Sequence, residues 1–184
     1  PTLEQHLQEL PTRCYGTYGM TETVSHIALR EINGERKSSA YFALGKVSFS
    51  TDERGCLIIN TPHLQQQRFI TNDIVRLVDT THFEWLGRHD NVINSGGVKL
   101  FPESIEARIA SFLSQRFFIT AEDDCRLGQK AVLVIESLPW DEAECQQLLS
   151  RLKSCLSPYE VPKNIYFQEH LTETYSGKIV RKIK

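Results

Sequence analysis

Short β-type segments that alternate with turn residues are the feature that most restricts the fold of this chain. Between residues 24 and 86, apolar and β-branched side chains occur in short runs bounded by turn-forming residues. Asp52-Glu53-Arg54-Gly55 separates two of these runs and places glycine where a turn most often needs a positive φ. The spacing predicts a small, mostly antiparallel β-unit connected by hairpins. Its predicted strands cover residues 24–29, 47–51, 56–60, 74–79 and 82–86.

After Asp90 the pattern changes to alternating strands and helices. Residues 102–115 carry apolar side chains at helical spacing, and Pro102 stands in the first turn, where helices tolerate proline. A second helix is predicted to open at Asp141, because Asp141-x-x-Glu144 has the form of a capping box. Strands are predicted at residues 117–121, 131–136 and 163–168. The predicted class is α/β (α+β), with a β-rich domain at residues 1–90 and a compact α/β domain at residues 91–184.

Composition and charge restrict the possible classes of function. Of 184 residues, 40% are hydrophobic, which is enough for a folded core. Twenty-one Lys and Arg against 23 Asp and Glu give a net charge of −2, which favours neither a nucleic-acid partner nor an anionic membrane. The five cysteines include no CxxC pair and indicate reduced thiols, and no apolar run reaches membrane-spanning length. The expected location is the cytoplasm, and the six histidines, which lack metal-binding spacing, are interpreted as structural.

Residues 18–23, Tyr-Gly-Met-Thr-Glu-Thr, have the side chains that a nucleotide site needs. Gly19 allows a close approach of the backbone, Tyr18 can face a base, and a hydroxyl beside the carboxylate of Glu22 suits phosphate and magnesium. Taken alone, such a hexapeptide is more often a glycine turn before a strand. Four further motifs follow in order: Thr-Asn-Asp at 71–73, Gly-Arg-His-Asp at 87–90, Ser-Gly-Gly-Val-Lys at 95–99 and Ser-Gly-Lys at 176–178.

This ordered series resembles the adenylate-forming superfamily, which includes acyl- and aryl-CoA synthetases, firefly luciferase and the adenylation domains of peptide synthetases. Within the superfamily, residues 18–29, 71–75 and 85–100 look most like o-succinylbenzoate-CoA ligases of menaquinone biosynthesis. The resemblance implies an AMP-forming acid–thiol ligase that uses ATP, Mg²⁺ and CoA. A small carboxylate and ATP would give an acyl-adenylate and pyrophosphate, and CoA would displace AMP after a domain rotation.

The resemblance also implies roles for side chains in the first domain. The ring of Tyr18 would lie near the adenine, with Gly19 beside it. Thr21 would contact the α-phosphate region, and Glu22 would bind magnesium. Asp73 would accept hydrogen bonds from both ribose hydroxyls, and Arg88 would contact ribose or phosphate. Without their neighbours, a surface Asp in a turn and a charged, solvated loop are the plainer interpretations.

Further roles are implied at the domain boundary and beyond it. Asp90 would be the hinge about which a C-terminal lid domain swings, and Gly97 would leave room for the thiol-bearing arm of CoA, whereas Lys99 receives no role. Lys178 would be the catalytic residue, because a mobile ammonium can stabilise charge at the carboxylate and the α-phosphate. A solvated basic tail is its plainer alternative. Asn72 replaces the usual glycine of the ribose motif, and a turn that tolerates Asn is expected there.

No Ser/Thr/Gly-rich loop with a Lys, which the superfamily uses for the β- and γ-phosphates, occurs in this sequence. The chain is therefore expected to be the end of a large AMP-binding domain followed by the whole mobile domain, and to be inactive in adenylation by itself. Two alternatives stay open. One is a related adenylating enzyme that acts on another aryl or fatty acid or loads a carrier protein. The other is a non-catalytic fragment that acts as a binding module.

Overall fold

The computed structural model describes residues 3–175 and 177–183. The chain divides into two compact units, Pro1–Asp90 and Asn91–Lys184. Each unit buries its own apolar cluster, and each is described by itself below. The mixed α/β class expected from the sequence is confirmed, with strands as the main element. The identity of the units as part of a large AMP-binding domain and a mobile domain stays a prediction.

The first unit is built on an antiparallel sheet of seven strands. A short helix, α1 (Leu3–Leu7), precedes the sheet, and a single 3-10 turn, Thr21–Thr23, connects its first two strands. The strand order across the sheet is β1-β2-β3-β7-β6-β5-β4. These strands are β1 (Tyr15–Gly19), β2 (His26–Glu31), β3 (Ala40–Ala43), β4 (Ser48–Thr51), β5 (Cys56–Asn60), β6 (Arg68–Leu77) and β7 (His82–Arg88).

Aromatic side chains pack together within the core of the first unit. Phe49 and Phe83 are almost fully buried and meet edge to face, with their ring centroids 4.8 Å apart. Such pairs add stability beyond the area that they remove from water. The predicted turn between β4 and β5 is confirmed: Gly55 has a φ of +83° and donates its amide to the Asp52 carbonyl. The core is therefore held between strands that tight turns connect.

Three local predictions for the first unit were wrong. Val24 lies in a tight turn before β2 instead of in the strand, and its φ is 66°. Asn72 lies within β6, because pairing with β5 extends that strand back to Arg68. The turn expected at Asn72 is thus absent. Strands β1 and β3 were missed, because β1 contains two glycines and β3 has only four residues.

The second unit packs helices against a five-stranded sheet. The strand order is β10-β11-β8-β9, and β12 pairs in parallel with β11, while the other pairs are antiparallel. The elements are β8 (Ile93–Ser95), β9 (Val98–Leu100), α2 (Pro102–Ile109), β10 (Phe117–Asp124), β11 (Gly128–Glu136), α3 (Glu142–Leu152) and β12 (Ile165–Gln168).

The predicted helix starts of the second unit are confirmed. Pro102 stands in the first turn of α2, and Asp141 caps α3 by accepting the Glu144 amide at 2.8 Å while Glu144 accepts the Asp141 amide. The predicted end of the first helix was wrong, because α2 stops at Ile109 and a 3-10 turn follows. No helix in the described part of the chain has the length and apolar character needed to cross a membrane.

Candidate functional site

A cavity of about 460 Å³ in the first unit collects most of the candidate residues of that unit. It lies where the end of β1 and the 3-10 turn face the middle of β6 and the end of β7. Residues separated by as many as 69 positions in sequence therefore share one wall. The lining residues are Gly19, Met20, Thr21, Glu22, Ile70, Thr71, Asn72, Asp73 and Arg88.

Asp73 is the most firmly held polar group of this cavity. It is 9% exposed, and its Oδ2 accepts a hydrogen bond from the Tyr18 hydroxyl at 2.6 Å. Its Oδ1 accepts from Nη1 of Arg88 at 3.3 Å, since Asp73 and Arg88 are partners in the β6–β7 register. The Asp73 amide donates to Oγ1 of Thr71 at 3.1 Å. Side chain and backbone are thus both fixed before any ligand arrives.

The ring of Tyr18 belongs to the aromatic core while its hydroxyl faces the cavity wall. Its centroid lies 5.1 Å from that of Phe83 and 5.8 Å from that of Tyr41, both in edge-to-face geometry. Burial raises the pKa of the Tyr18 phenol far above its ordinary range, and the hydrogen bond to Asp73 adds to the rise. The hydroxyl consequently remains protonated at every physiological pH and acts as a donor.

A strained turn presents Thr21 and Glu22 to the solvent side of the cavity. Thr23 organises this turn: its buried hydroxyl accepts the Met20 amide at 3.0 Å and lies 2.9 Å from both the Met20 and the Ser25 carbonyl oxygens, to either of which it can donate. Val24, at a φ of 66° and a ψ of −37°, occupies a backbone region that β-branched residues rarely adopt. The turn leaves the side chains of Thr21 and Glu22 exposed at the cavity.

Magnesium at this cavity would depend on Glu22 and on ligands that the chain does not supply. In residues 3–175 and 177–183, no three His, Cys, Asp or Glu side chains stand close enough together to hold a metal ion. Mg²⁺ does not need such a cage, because it keeps several waters and binds one or two carboxylates together with substrate phosphates. The exposed carboxylate of Glu22 at the cavity fits this requirement.

The predicted hinge residue, Asp90, contacts the strand that carries Asp73. Nδ2 of Asn72 donates to Oδ2 of Asp90 at 3.4 Å, and Oδ1 of the same amide accepts from Nη1 of Arg54 at 3.4 Å. Both distances are long for strong hydrogen bonds. The Asn72 side chain, which replaces glycine in this motif, therefore contacts Arg54 and Asp90, the last residue of the unit.

In the second unit, the glycine pair at residues 96–97 forms the hairpin between β8 and β9. Both residues have positive φ, 58° for Gly96 and 83° for Gly97. They differ in their surroundings: a Cβ on Gly96 would lie 3.1 Å from Leu127 and 3.4 Å from Tyr159, whereas a Cβ on Gly97 would meet nothing within 4 Å. Gly97, the residue assigned to thiol transfer, is thus the glycine with open space beside it.

Lys178 stands at a small C-terminal hairpin and is exposed. Its carbonyl accepts the Thr174 amide at 2.8 Å, and its amide donates to Oγ1 of Thr174 at 3.1 Å, next to a bridge between Glu173 and Ile179. Ser176, the first residue of the expected Ser-Gly-Lys motif, lies outside the described residues. The ammonium group is therefore presented to solvent on a short, hydrogen-bonded loop.

A largely buried ion pair anchors the chain just beyond Lys178. Both guanidinium nitrogens of Arg181 donate to the carboxylate of Glu106, and Nη1 also donates to the Ile119 carbonyl at 2.9 Å. The Glu106 carboxylate accepts the Ile119 amide at 2.7 Å as well. Burial raises the pKa of Glu106 in spite of the neighbouring Arg181, which acts to lower it. Sequence reasoning missed this pair, since residues 75 positions apart give no local signal.

Comparison with known proteins agrees with this fold and these motifs, although no family model matches the chain. An acyl-CoA synthetase (AMP-forming)/AMP-acid ligase II-like protein from Dyadobacter fermentans is 42% identical and has a TM-score of 0.50. The match covers 97% of this chain and 52% of that protein. The resemblance to the C-terminal portion of the adenylate-forming superfamily is thereby confirmed.

The resemblance to o-succinylbenzoate-CoA ligases within that superfamily is confirmed as well. The 2-succinylbenzoate–CoA ligase of Lactococcus lactis is 29% identical over 193 residues, which are 95% of this chain and 42% of the relative. The o-succinylbenzoate CoA synthetase of Bacillus subtilis, solved with its acyl-adenylate intermediate, shares the fold at a TM-score of 0.73 and 20% identity. That match covers 97% of this chain and 42% of the other. The chain spans about two fifths of these ligases.

Proposed function

We propose that this chain carries the nucleotide-site wall and the mobile domain of an ATP-dependent acid–thiol ligase, which forms an acyl-adenylate and then a CoA thioester. The observation that carries the proposal is the cavity of the first unit, where Thr21, Glu22, Asp73 and Arg88 converge. These residues supply the groups that the ligands need: a fixed carboxylate for ribose, a guanidinium and a hydroxyl for ribose or phosphate, and an exposed carboxylate for magnesium. The Bacillus subtilis synthetase, which shares the fold, has also been solved with ATP and a magnesium ion.

The proposed acid is o-succinylbenzoate, which would place the enzyme in menaquinone biosynthesis. Support comes from ligases of that acid, whose matches extend over 95% and 97% of this chain. A ligase for another aryl or fatty acid, or one that loads a carrier protein, is the competing assignment, because identities of 29% and 20% do not carry an acid specificity. The proposed location is the cytoplasm.

In the proposed mechanism, each site residue has one task. Asp73 accepts the ribose hydroxyls, Arg88 and Thr21 contact ribose or phosphate oxygens, and Glu22 is the side chain that would hold magnesium, whose charge would offset that of the phosphates. Lys178 supplies a positive charge during adenylation, where negative charge develops between the carboxylate and the α-phosphate.

Two residues of the proposal serve the second half-reaction. The domain rotation about Asp90 brings Gly97 to the adenylate, and the open space beside Gly97 admits the thiol arm of CoA.

The test is mass-spectrometric detection of CoA thioesters made by the natural protein that contains this sequence. ATP, magnesium, CoA and a panel of carboxylates that includes o-succinylbenzoate are supplied. Lys178→Ala is expected to reduce the product by about a hundredfold or more, in line with the loss of a transition-state charge contact. Lys182→Ala, which removes an exposed lysine from the same tail, is the matched control.

The outcomes separate the parts of the proposal. A thioester of a different acid would keep the ligase and discard o-succinylbenzoate. No adenylate or thioester from any acid would favour a non-catalytic binding module instead. The 184-residue chain alone is expected to give no ATP–pyrophosphate exchange, and measurable exchange would contradict that part.

A further inference from the structure

The hydroxyl of Tyr18 donates a hydrogen bond of 2.6 Å to the carboxylate of Asp73, which lines the cavity. The two residues lie 55 positions apart, on β1 and β6, and these strands are not neighbours in the sheet. The ring of Tyr18 packs edge to face against both Tyr41 and Phe83, whose own rings are stacked at 5.4 Å, and this packing directs its hydroxyl toward Asp73. Ring packing against Tyr41 and Phe83 thus fixes the direction of the Tyr18 hydroxyl.

Among the described residues, each oxygen of Asp73 has one side-chain donor. Oδ2 accepts from Tyr18, and Oδ1 accepts from Arg88 at 3.3 Å. An ionised carboxylate has about four lone-pair positions, two on each oxygen, so one position on each oxygen stays open. Two adjacent hydroxyls, such as the 2′ and 3′ hydroxyls of a ribose, present two donors at matching separation. The donors already in place hold the plane of the carboxylate in one orientation.

We propose that Tyr18 is a positioning residue that acts on the ribose diol of the nucleotide through Asp73. Its hydroxyl holds Oδ2, so the carboxylate keeps one open position on each oxygen for the two ribose hydroxyls. The ring supports this arrangement through its edge-to-face packing in the core. This inference rests on the proposed nucleotide site and deepens it, since it defines a diol-bearing nucleotide as the ligand class.

Without the Tyr18 hydroxyl, the hydrogen bond that holds Oδ2 of Asp73 is lost. Arg88 would be its remaining side-chain partner, and a guanidinium binds a carboxylate best with both oxygens. Asp73 would then turn toward Arg88 and present the diol with a poorer arrangement. Tyr18 is a dependable donor in the wild type, because a phenol is protonated at neutral pH and burial raises the pKa of this one further. Phenylalanine keeps the ring and removes only this function.

The experiment measures binding of AMP and of 2′,3′-dideoxy-AMP to the 184-residue chain by calorimetry or by NMR titration. In Tyr18→Phe, AMP affinity is expected to fall about tenfold, the effect of losing one hydrogen bond to a charged group. The affinity for the dideoxy nucleotide is expected to change less than about twofold, since it has no diol for Asp73. The ratio of the two affinities is the readout.

Two variants make the result specific. Tyr15→Phe is the matched control, because Tyr15 lies on the same strand and its hydroxyl donates to Oε2 of Glu31 at 3.4 Å, away from this cavity. Its affinity ratio should equal that of the wild type. In an Asp73→Asn background, Tyr18→Phe should cause no further loss of discrimination between the two nucleotides.

Other outcomes overturn the inference in distinct ways. A merely structural role of Tyr18 would lower both affinities equally and leave their ratio unchanged. An unchanged AMP affinity would show that the ring suffices. If the wild-type chain bound no AMP, the proposed nucleotide site would fail and this inference with it, whereas normal wild-type binding with an unaltered ratio in Tyr18→Phe would overturn the inference alone.

Discussion

At the scale of single residues, the polar groups of this protein are held by several partners at once. Asp73 is held by Tyr18 and Arg88 through its side chain and by Thr71 through its amide. Thr71 in turn donates its hydroxyl to the Leu57 carbonyl at 3.0 Å. Such chains of hydrogen bonds restrict rotamers more than one bond does. The wall of the candidate site is therefore rigid at the residue that would meet the ribose.

Asp79 should make the stability of the first unit depend on pH. Hydrogen bonds from the Thr81 hydroxyl and amide, and from His82, lower the pKa of Asp79 from 3.8 to about 2. A carboxyl whose pKa is lower in the folded state stabilises the protein above its unfolded pKa, and this stabilisation is lost as pH falls toward the folded value. The first unit should thus lose stability between about pH 4 and about pH 2 partly through Asp79.

Thermal unfolding of the wild type and of Asp79→Asn across that range is the measurement. The variant should show a shallower decline, because it has no carboxyl to protonate at this position. Asp123→Asn is the control, since Asp123 is an exposed carboxylate on β10. Identical slopes in wild type and Asp79→Asn would contradict the prediction.

At the scale of elements, a turn and an ion pair determine where the candidate catalytic residues stand. The turn from Met20 to Ser25 is closed by the Thr23 hydroxyl and by a hydrogen bond of 2.7 Å from the Ser25 amide to the Thr23 carbonyl. In the second unit, Arg181 fixes the segment that follows Lys178. Both segments lie outside regular secondary structure, and side-chain hydrogen bonds hold them in place of the backbone hydrogen bonds of a helix or sheet.

Val24 should be replaceable with a gain in stability. Its φ of 66° suits glycine, and a β-branched residue there carries strain that glycine lacks. Because glycine also gains freedom in the unfolded chain, the net stabilisation by Val24→Gly should be about 1 kcal/mol. Chemical denaturation measures it. Val78→Gly, at another exposed valine, should destabilise instead, and a loss of stability in Val24→Gly would show that the turn carries no strain.

The pair of Glu106 and Arg181 should behave as one unit. Glu106→Gln and Arg181→Met should each destabilise the second unit by about 1–3 kcal/mol. Glu106→Gln leaves Arg181 with the more distant carboxylate of Glu103, at 3.8 Å, and Arg181→Met removes the cation paired with the largely buried Glu106. The double variant should lose less than the sum of the two. Denaturation of all four proteins completes the cycle. Additive losses would mean that the two side chains do not stabilise each other.

At the scale of the whole molecule, two separate cores are the main feature. The first unit buries its apolar side chains beneath a seven-stranded sheet, and the second buries its own between helices and a five-stranded sheet. Units of about this size with their own cores generally fold alone. Residues 1–90 and 91–184, produced separately, should therefore each give dispersed amide signals by NMR and a cooperative thermal transition.

A chain ended within the first unit tests whether the boundary at Asp90 is the correct one. A chain ended after Asn60 should not fold, because it loses β6 and β7, which stand between β5 and β3 in the sheet. Folding of that shorter chain would show that β6 and β7 are not needed, whereas failure of residues 1–90 or of residues 91–184 to fold alone would show that the cores are not independent.

Local structure was determined largely by the sequence itself. The capping box at Asp141, the Gly55 turn and Pro102 at a helix start act through neighbours within a few positions. The ordered motifs also depend on residue type and spacing alone, and they sufficed to indicate the superfamily. By contrast, the extent of β6, the position of Val24 and the end of α2 depended on partners elsewhere in the sheet and the core.

Only the tertiary structure decided which distant side chains meet. Tyr18 reaches Asp73 because ring packing and strand order bring β1 across the core from β6, and Arg181 reaches Glu106 across 75 positions. Neither pair has a local signature, since strand register and core packing arise from the sum of many weak contacts along the whole chain. The sequence by itself thus determined the inventory of the candidate site, whereas the fold decided which of its members hold one another in place.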